Sequence, residues 1–212
     1  VPLFWAKTPN METPDPSAPI YTGKPPRTER ALGLVGCLVA GMLLGTLSAL
    51  MPIQLQQLGL QQEVGLYMAW LILCGMAFQL PSGSLADRFG KRTMMAVQTT
   101  MIALGSALLW EGGSTSVMLI AFALLGAGGF TLYPTTMSYA CGKLQGRTLV
   151  KMAQKLVFIY SLGSLAGPMM AGIMLEQQQA GLFLFVILLV MAWGAWLGLM
   201  GLLGRKPVGT TI

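Results

Sequence analysis

The sequence contains no histidine. That absence removes imidazole acid–base catalysis, Ser-His-Asp triads and His-ligated metals together. Charge is nearly as scarce, at 9% of residues, against about 25% in an ordinary soluble domain. Hydrophobic residues reach 54% and mean hydropathy is +0.67. Polar groups are too few to cover a soluble surface, so the membrane class follows. Cysteine is limited to Cys37, Cys74 and Cys141, with no metal-like spacing. Each falls within or at the end of an apolar span, where a small polarizable side chain packs well. The charge-free spans hold no buried acid, hence no obvious proton carrier and no paired carboxylates for hydrolysis. No GxxxxGK[ST] loop is present, so an ATPase and an intramembrane protease are both unsupported. The expectation is a non-enzyme with no catalytic residues, no metal, no cofactor and no nucleic-acid partner.

What is present is long apolar runs. Charge-free stretches cover 31–62, 64–86, 93–110, 112–142, 156–175 and 177–204. About 20 apolar residues at 1.5 Å per residue cross a ~30 Å hydrocarbon core. Spans are expected at 31–55, 64–86, 93–111, 117–140, 150–174 and 181–204. They must be helices, because lipid offers no partners to unpaired backbone groups. A barrel is excluded by the lack of two-residue alternation. The loops sort by charge. All 13 basic residues fall on the side that holds both termini and the loops around 87–92 and 141–149. The other side holds Glu63, Glu111 and Glu176, with no Lys or Arg. The positive-inside rule then places both termini in the cytoplasm.

Residues 6–30 carry Pro9, Pro14, Pro16, Pro19, Pro25 and Pro26 and read as a Pro-rich cytoplasmic linker. Residues 1–5, "VPLFW", read as the end of an upstream membrane helix. The first residue is Val1, with no initiator Met, so the chain is expected to be a fragment or a processed piece. Residues 205–212 form a cytoplasmic tail.

Small and polar residues suggest how the spans pack. Gly33, Cys37, Gly41, Gly45 and Ala49 recur at steps of four on the first span, a spacing for close helix contact in lipid. Gly128, Thr131, Thr135 and Ser138 share one face of the fourth span. Gly75, Gln79, Ser82 and Ala86 do so on the second, and Tyr160, Ser164 and Gly167 on the fifth. Such faces line either a cavity or a hydrogen-bonded helix contact. Gln79, Thr131, Tyr133, Thr135, Tyr160 and Ser164 are the candidate cavity residues. The sixth span has no Ser, Thr, Asn or Gln between Leu182 and Gly204 and is expected at the rim, facing lipid.

The stretch Gly83-Ser84-Leu85-Ala86-Asp87-Arg88-Phe89-Gly90-Lys91-Arg92 resembles the signature loop of the major facilitator superfamily. It also lies where that family has it, between the second and third helices of a six-helix half. Gly163-x-x-x-Gly167-Pro168-x-x-Ala171-Gly172 is similar to a pattern of the family's fifth helix, with Ala171 for one Gly. In an N-terminal half that pattern is associated with antiporters. Here it implies close packing and a Pro kink. "GAGGFTLYPTTMSYAC" and "YSLGSLAGP" further resemble the YcaD-type branch of bacterial permeases.

The resemblance implies an all-α membrane fold. Residues 31–204 would form the C-terminal half of a permease, built from two inverted three-helix repeats. The first, second, fourth and fifth spans would face a central cavity, and the third and sixth would face outward. Gln98, Thr99 and Thr100 on the third span fit this poorly and are expected at the cytoplasmic interface. Gly83, Leu85, Asp87, Arg88, Gly90, Lys91 and Arg92 would form a conformational latch. Gly83 would permit close helix contact and Gly90 a tight turn. Asp87 would meet a neighbouring helix N-terminus and a base such as Lys143 or Arg147, biasing a two-state equilibrium by ~1–2 kcal/mol.

The implied function is secondary active transport of a small solute of unknown identity by alternating access. Proton-coupled efflux of an amphipathic compound is set ahead of uptake of a charged nutrient, since no span buries an Arg or Lys to hold an anion. The implied partners are the bilayer of a bacterial inner membrane and a missing N-terminal six-helix half. The alternative is an orphan half that acts as a non-transporting interaction protein, or an inactive fragment.

Overall fold

A computed structural model describes residues 27–142, 144–177 and 181–203. The upstream helix end, the linker through residue 26, Lys143 and the tail lie outside the described residues. Six helices follow one another: α1 (Arg27–Gln57), α2 (Val64–Phe89), α3 (Lys91–Glu111), α4 (Thr115–Cys141), α5 (Gly146–Gln177) and α6 (Gly181–Leu203). All six are long and apolar enough to cross a membrane. Among the described residues no strand occurs.

The helices overrun the expected spans. α1 begins at Arg27, so the linker expected through residue 30 gives way to helix earlier. α5 begins at Gly146, ahead of the expected start at 150, and takes in Arg147. Charge marks the edge of the hydrocarbon, whereas a helix continues until a residue breaks its ladder. Gly90 is such a break, with φ 89°. It alone separates α2 from α3, so the expected loop at 87–92 is mostly helix. Asp87 and Arg88 end α2, and Lys91 and Arg92 begin α3.

The packing has a two-fold logic. α1 packs most heavily on α5, and α4 on α3 and α2. Exchanging α1 with α4, α2 with α5 and α3 with α6 maps the α1–α5 contact onto α4–α2. It also maps α3–α4 onto α6–α1. Helices three apart in an up-down chain run in opposite directions, so the two triplets are inverted repeats.

The α1–α5 contact is made of glycines. A Cβ at Gly41 or Gly45 would collide with the backbone of Tyr160 or Ser164. One at Gly163 or Gly167 would collide with that of Leu38 or Met42. Pro168 leaves the Ser164 carbonyl without its helical donor. That carbonyl lies against Gly45, where Cα–H groups can meet it. Gly126 and Gly105 give α4 the same close approach to α2 and α3.

α6 is more buried than a rim helix should be. Leu182, Phe183, Phe185, Val186, Val190 and Trp193 enter the core, while Leu188, Met191 and Leu199 stay exposed. Its uniformly apolar sequence concealed which side packs, because lipid and core accept the same residues.

Candidate functional site

The Gly83–Arg92 motif and the polar face of α4 meet in a cavity of about 230 Å³. From α2 its wall takes Gln79, Ser82, Gly83, Ala86 and Asp87. Lys91 comes from α3, and Pro134, Thr135 and Ser138 from α4. Two stripes read separately from their spacing therefore face one another. Gln79 and Asp87 are exposed, while Ser82 and Thr135 are buried. The Ser82 hydroxyl donates to its own helix at the backbone carbonyl of Gln79 (2.9 Å), while the Gln79 side chain is exposed at this wall.

Charges near Gly90 sit at the wrong ends of their own helices. A helix C-terminus disfavours Asp87, and an N-terminus disfavours Lys91 and Arg92. A neighbouring helix end offsets this for Lys91 through a hydrogen bond and for Arg92 through proximity alone, since the buried Arg92 Nη2 has no hydrogen-bond partner among the described residues. Lys91 Nζ donates to Ser138 O at 3.0 Å, in the last turn of α4. Gly142 keeps that place open, since a Cβ there would stand 2.9 Å from Lys91 Nζ. Arg92 reaches the last turn of α6, where a Cβ on Gly201 would lie 3.5 Å from its Nη2. Each base thus lies at the negative end of an adjacent helix. Arg88 lies over the Phe89 ring at 5.5 Å, and Leu85 is half-buried.

The expected latch contacts differ from those present. Among the described residues Asp87 has no ion-pair or hydrogen-bond partner. Arg147 is exposed and is not brought to it, and Lys143 lies outside the described residues. A Cβ at Gly83 would meet nothing within 4 Å, so no close helix contact forms there within these six helices. The lysine clasp was missed because its acceptor is a backbone carbonyl, which residue identity does not reveal.

The candidate cavity residues also divide. Gln79 and Thr135 line the cavity. Thr131 does not: it is fully buried, and its hydroxyl donates to Ala127 O at 2.6 Å. Ser164 packs on Gly45 of α1. Tyr133 and Tyr160 meet between α4 and α5 with their rings tilted by 50°, centroids 4.6 Å apart, outside this wall. Gly163, Gly167 and Pro168 belong to the α1–α5 contact, whereas Gly172 meets nothing within 4 Å.

Gln98 is the clearest correction. Expected at an interface, it is fully buried against α4. Its Nε2 donates to Thr131 O (3.2 Å) and Thr135 Oγ1 (2.9 Å). Thr135 in turn donates to Thr131 O at 2.8 Å. Its proton is committed, so it turns only an acceptor toward the cavity. Thr99 and Thr100 bond back to Met95 O and Ala96 O within α3.

The sequence matches the family described as "Major Facilitator Superfamily" over residues 4–211. The chain belongs to the major facilitator superfamily. It is 35% identical over 209 residues to the "Uncharacterized MFS-type transporter YcaD" of Salmonella typhi, covering 98% of this chain and 53% of that protein. The Escherichia coli O6:K15:H31 protein of the same name is 35% identical over 188 residues, covering 88% of this chain and 48% of that one. The chain spans about half the length of the curated relatives it matches. Membership gives a multi-pass membrane protein of a transporter family, and the six apolar helices agree with it.

Proposed function

We propose that this chain is the C-terminal half of a secondary active transporter that moves a small solute by alternating access. In this proposal the α2–α4 cavity lies at the cytoplasmic end, and both termini face the cytoplasm of a bacterial inner membrane. The observation that carries it is the cavity wall itself. It unites the family's signature residues Asp87 and Lys91 with the polar residues Gln79, Thr135 and Ser138. A motif that only oriented the chain would not need a shared cavity.

The need for a second half is supported by α2 and α5. They bury the smallest shares of their spans among the six, yet both pack on the central helices α1 and α4. Asp87, exposed and unpaired within these helices, then meets its partner across the junction between halves. Lys91 holds α3 to α4 throughout the cycle, while the Asp87 contact forms and breaks. Proton-coupled efflux fits the absence of an anion-holding base in the spans, and an acid for coupling would come from the other half.

The test is transport by the complete permease, screened for accumulation or extrusion of amphipathic solutes. Asp87→Asn is expected to lower the rate while leaving the amount of membrane-inserted protein unchanged. A wild-type rate in that variant would sink the latch role.

A further inference from the structure

A second cavity, of about 390 Å³, opens at the end of the bundle opposite the Gly83–Arg92 motif. It is walled by Leu58 beyond α1, Leu109 and Trp110 of α3, Met118 of α4 and Phe183 of α6. None of these is shared with the α2–α4 cavity. Its volume is in the range of small-molecule sites, about 300–1,000 Å³.

Its origin is local. The α3–α4 turn is Gly112-Gly113-Ser114, with φ 69° at Gly112, and both glycines line the space. A conformation that suits glycine leaves the corner between α3 and α4 without side chains to fill it. Leu109 and Phe183 are buried in the wall, whereas Trp110 and Leu58 remain 43% and 47% exposed. Large apolar groups are thus held open beside an apolar space.

Among the described residues no charged side chain lines the cavity. Gln54, the amide in its wall, is already engaged within the fold. An apolar cavity resists water and accepts apolar guests. Leu109, Met118 and Phe183 lie within a turn of their helix ends, at the depth where a lipid chain leaves its headgroup. The two outer walls, α3 and α6, turn other residues such as Leu104, Leu188 and Met191 outward. Lipid is therefore the phase that flanks the opening.

We propose that this crevice takes up an alkyl chain of a bilayer phospholipid from the adjoining leaflet. It forms a lipid site separate from the solute cavity. The lipid stabilises the α3–α4 corner, which the glycine turn leaves unfilled.

The test uses the full chain in phosphatidylcholine vesicles doped with phosphatidylcholine that carries a diazirine on one acyl chain. After irradiation, labelled residues are mapped by mass spectrometry. Label is expected to concentrate on Leu58, Trp110 and Met118 above Leu188, Met191 and Leu199 on the outer face of α6. Leu109→Trp is expected to fill the crevice and lower its label about tenfold, as when about two methylenes lose their contacts. Outer-face label should not change. Met118→Trp fills the space from the other side if the first variant does not fold. Label spread in proportion to exposure would overturn the proposal. So would crevice label that persists in a folded filled variant. A soluble photoactivatable alkanol serves as the control for source: label from it, with none from the photolipid, would overturn the lipid assignment.

Discussion

At the scale of single residues, glycines that look alike in sequence differ in what they touch. A methyl at Gly167 would run into the backbone of Met42, so α1 and α5 would have to part. Gly167→Ala is expected to cost about 1–3 kcal/mol, the usual range for overpacking, measured by unfolding in detergent. Gly172→Ala and Gly83→Ala meet open space and should stay within about 0.5 kcal/mol of wild type. Equal losses at Gly167 and Gly172 would contradict the α1–α5 interlock. The sequence placed Gly163, Gly167 and Gly172 in one motif, but a motif does not say which of its glycines meets a neighbour. Gln98 shows the same limit. Its bond to Thr135 predicts a coupling of about 0.6 kcal/mol, at most ~1.7, in a cycle of Gln98→Leu with Thr135→Val. Zero coupling would remove the node. Helical spacing put Thr131 and Thr135 on one face correctly. That face is then divided between α3 and the cavity, and a 3.6-residue period cannot say where the division falls.

For the helical elements, number and order were legible because lipid compels every backbone group to pair within a helix. Their ends were not. Arg147 lies inside α5 although it falls outside the expected span, since a basic side chain can extend its head to the interface while its backbone stays helical. At the α2–α3 junction the charges make sense only between elements. Lys91 opposes the dipole of its own helix and complements that of α4 through Ser138 O. Lys91→Met should therefore loosen α3 from α4. The net change is the α4 gain minus the relieved α3 penalty, so it should stay below the ~1–2 kcal/mol of a single favourable terminus. Gly142→Ala should loosen the same contact without removing any charge, because the added methyl crowds both Lys91 Nζ and Ser138 O. Melting curves of the two variants and the double variant test this. If the clasp is shared, the double variant falls short of the sum of the singles. Simple additivity would show that Lys91 and Gly142 act separately.

Across the whole molecule, the inverted pairing of helices and the sorting of charge describe one object from two directions. Three-helix repeats of opposite orientation place the α1–α2, α3–α4 and α5–α6 connections at one end and the Gly90 and Lys143 connections at the other. Every basic residue lies at or near the second end or in the terminal segments, while Glu63, Glu111 and Glu176 lie at the first. Under the proposed topology the charges act during insertion, when basic loops are retained on the cytoplasmic side. The fold then fixes the sidedness permanently, because a packed six-helix unit cannot invert. Gln61 and Gln145 are exposed at opposite ends and allow this to be read directly. In a background with Cys74→Ser and Cys141→Ser, Cys37 is buried and should give no signal. A membrane-impermeant maleimide added to intact spheroplasts should label Gln61→Cys. It should label Gln145→Cys only after permeabilisation. The reverse pattern would place the Asp87–Lys91 cavity on the outer face and would require its contacts to respond to an opening on that side.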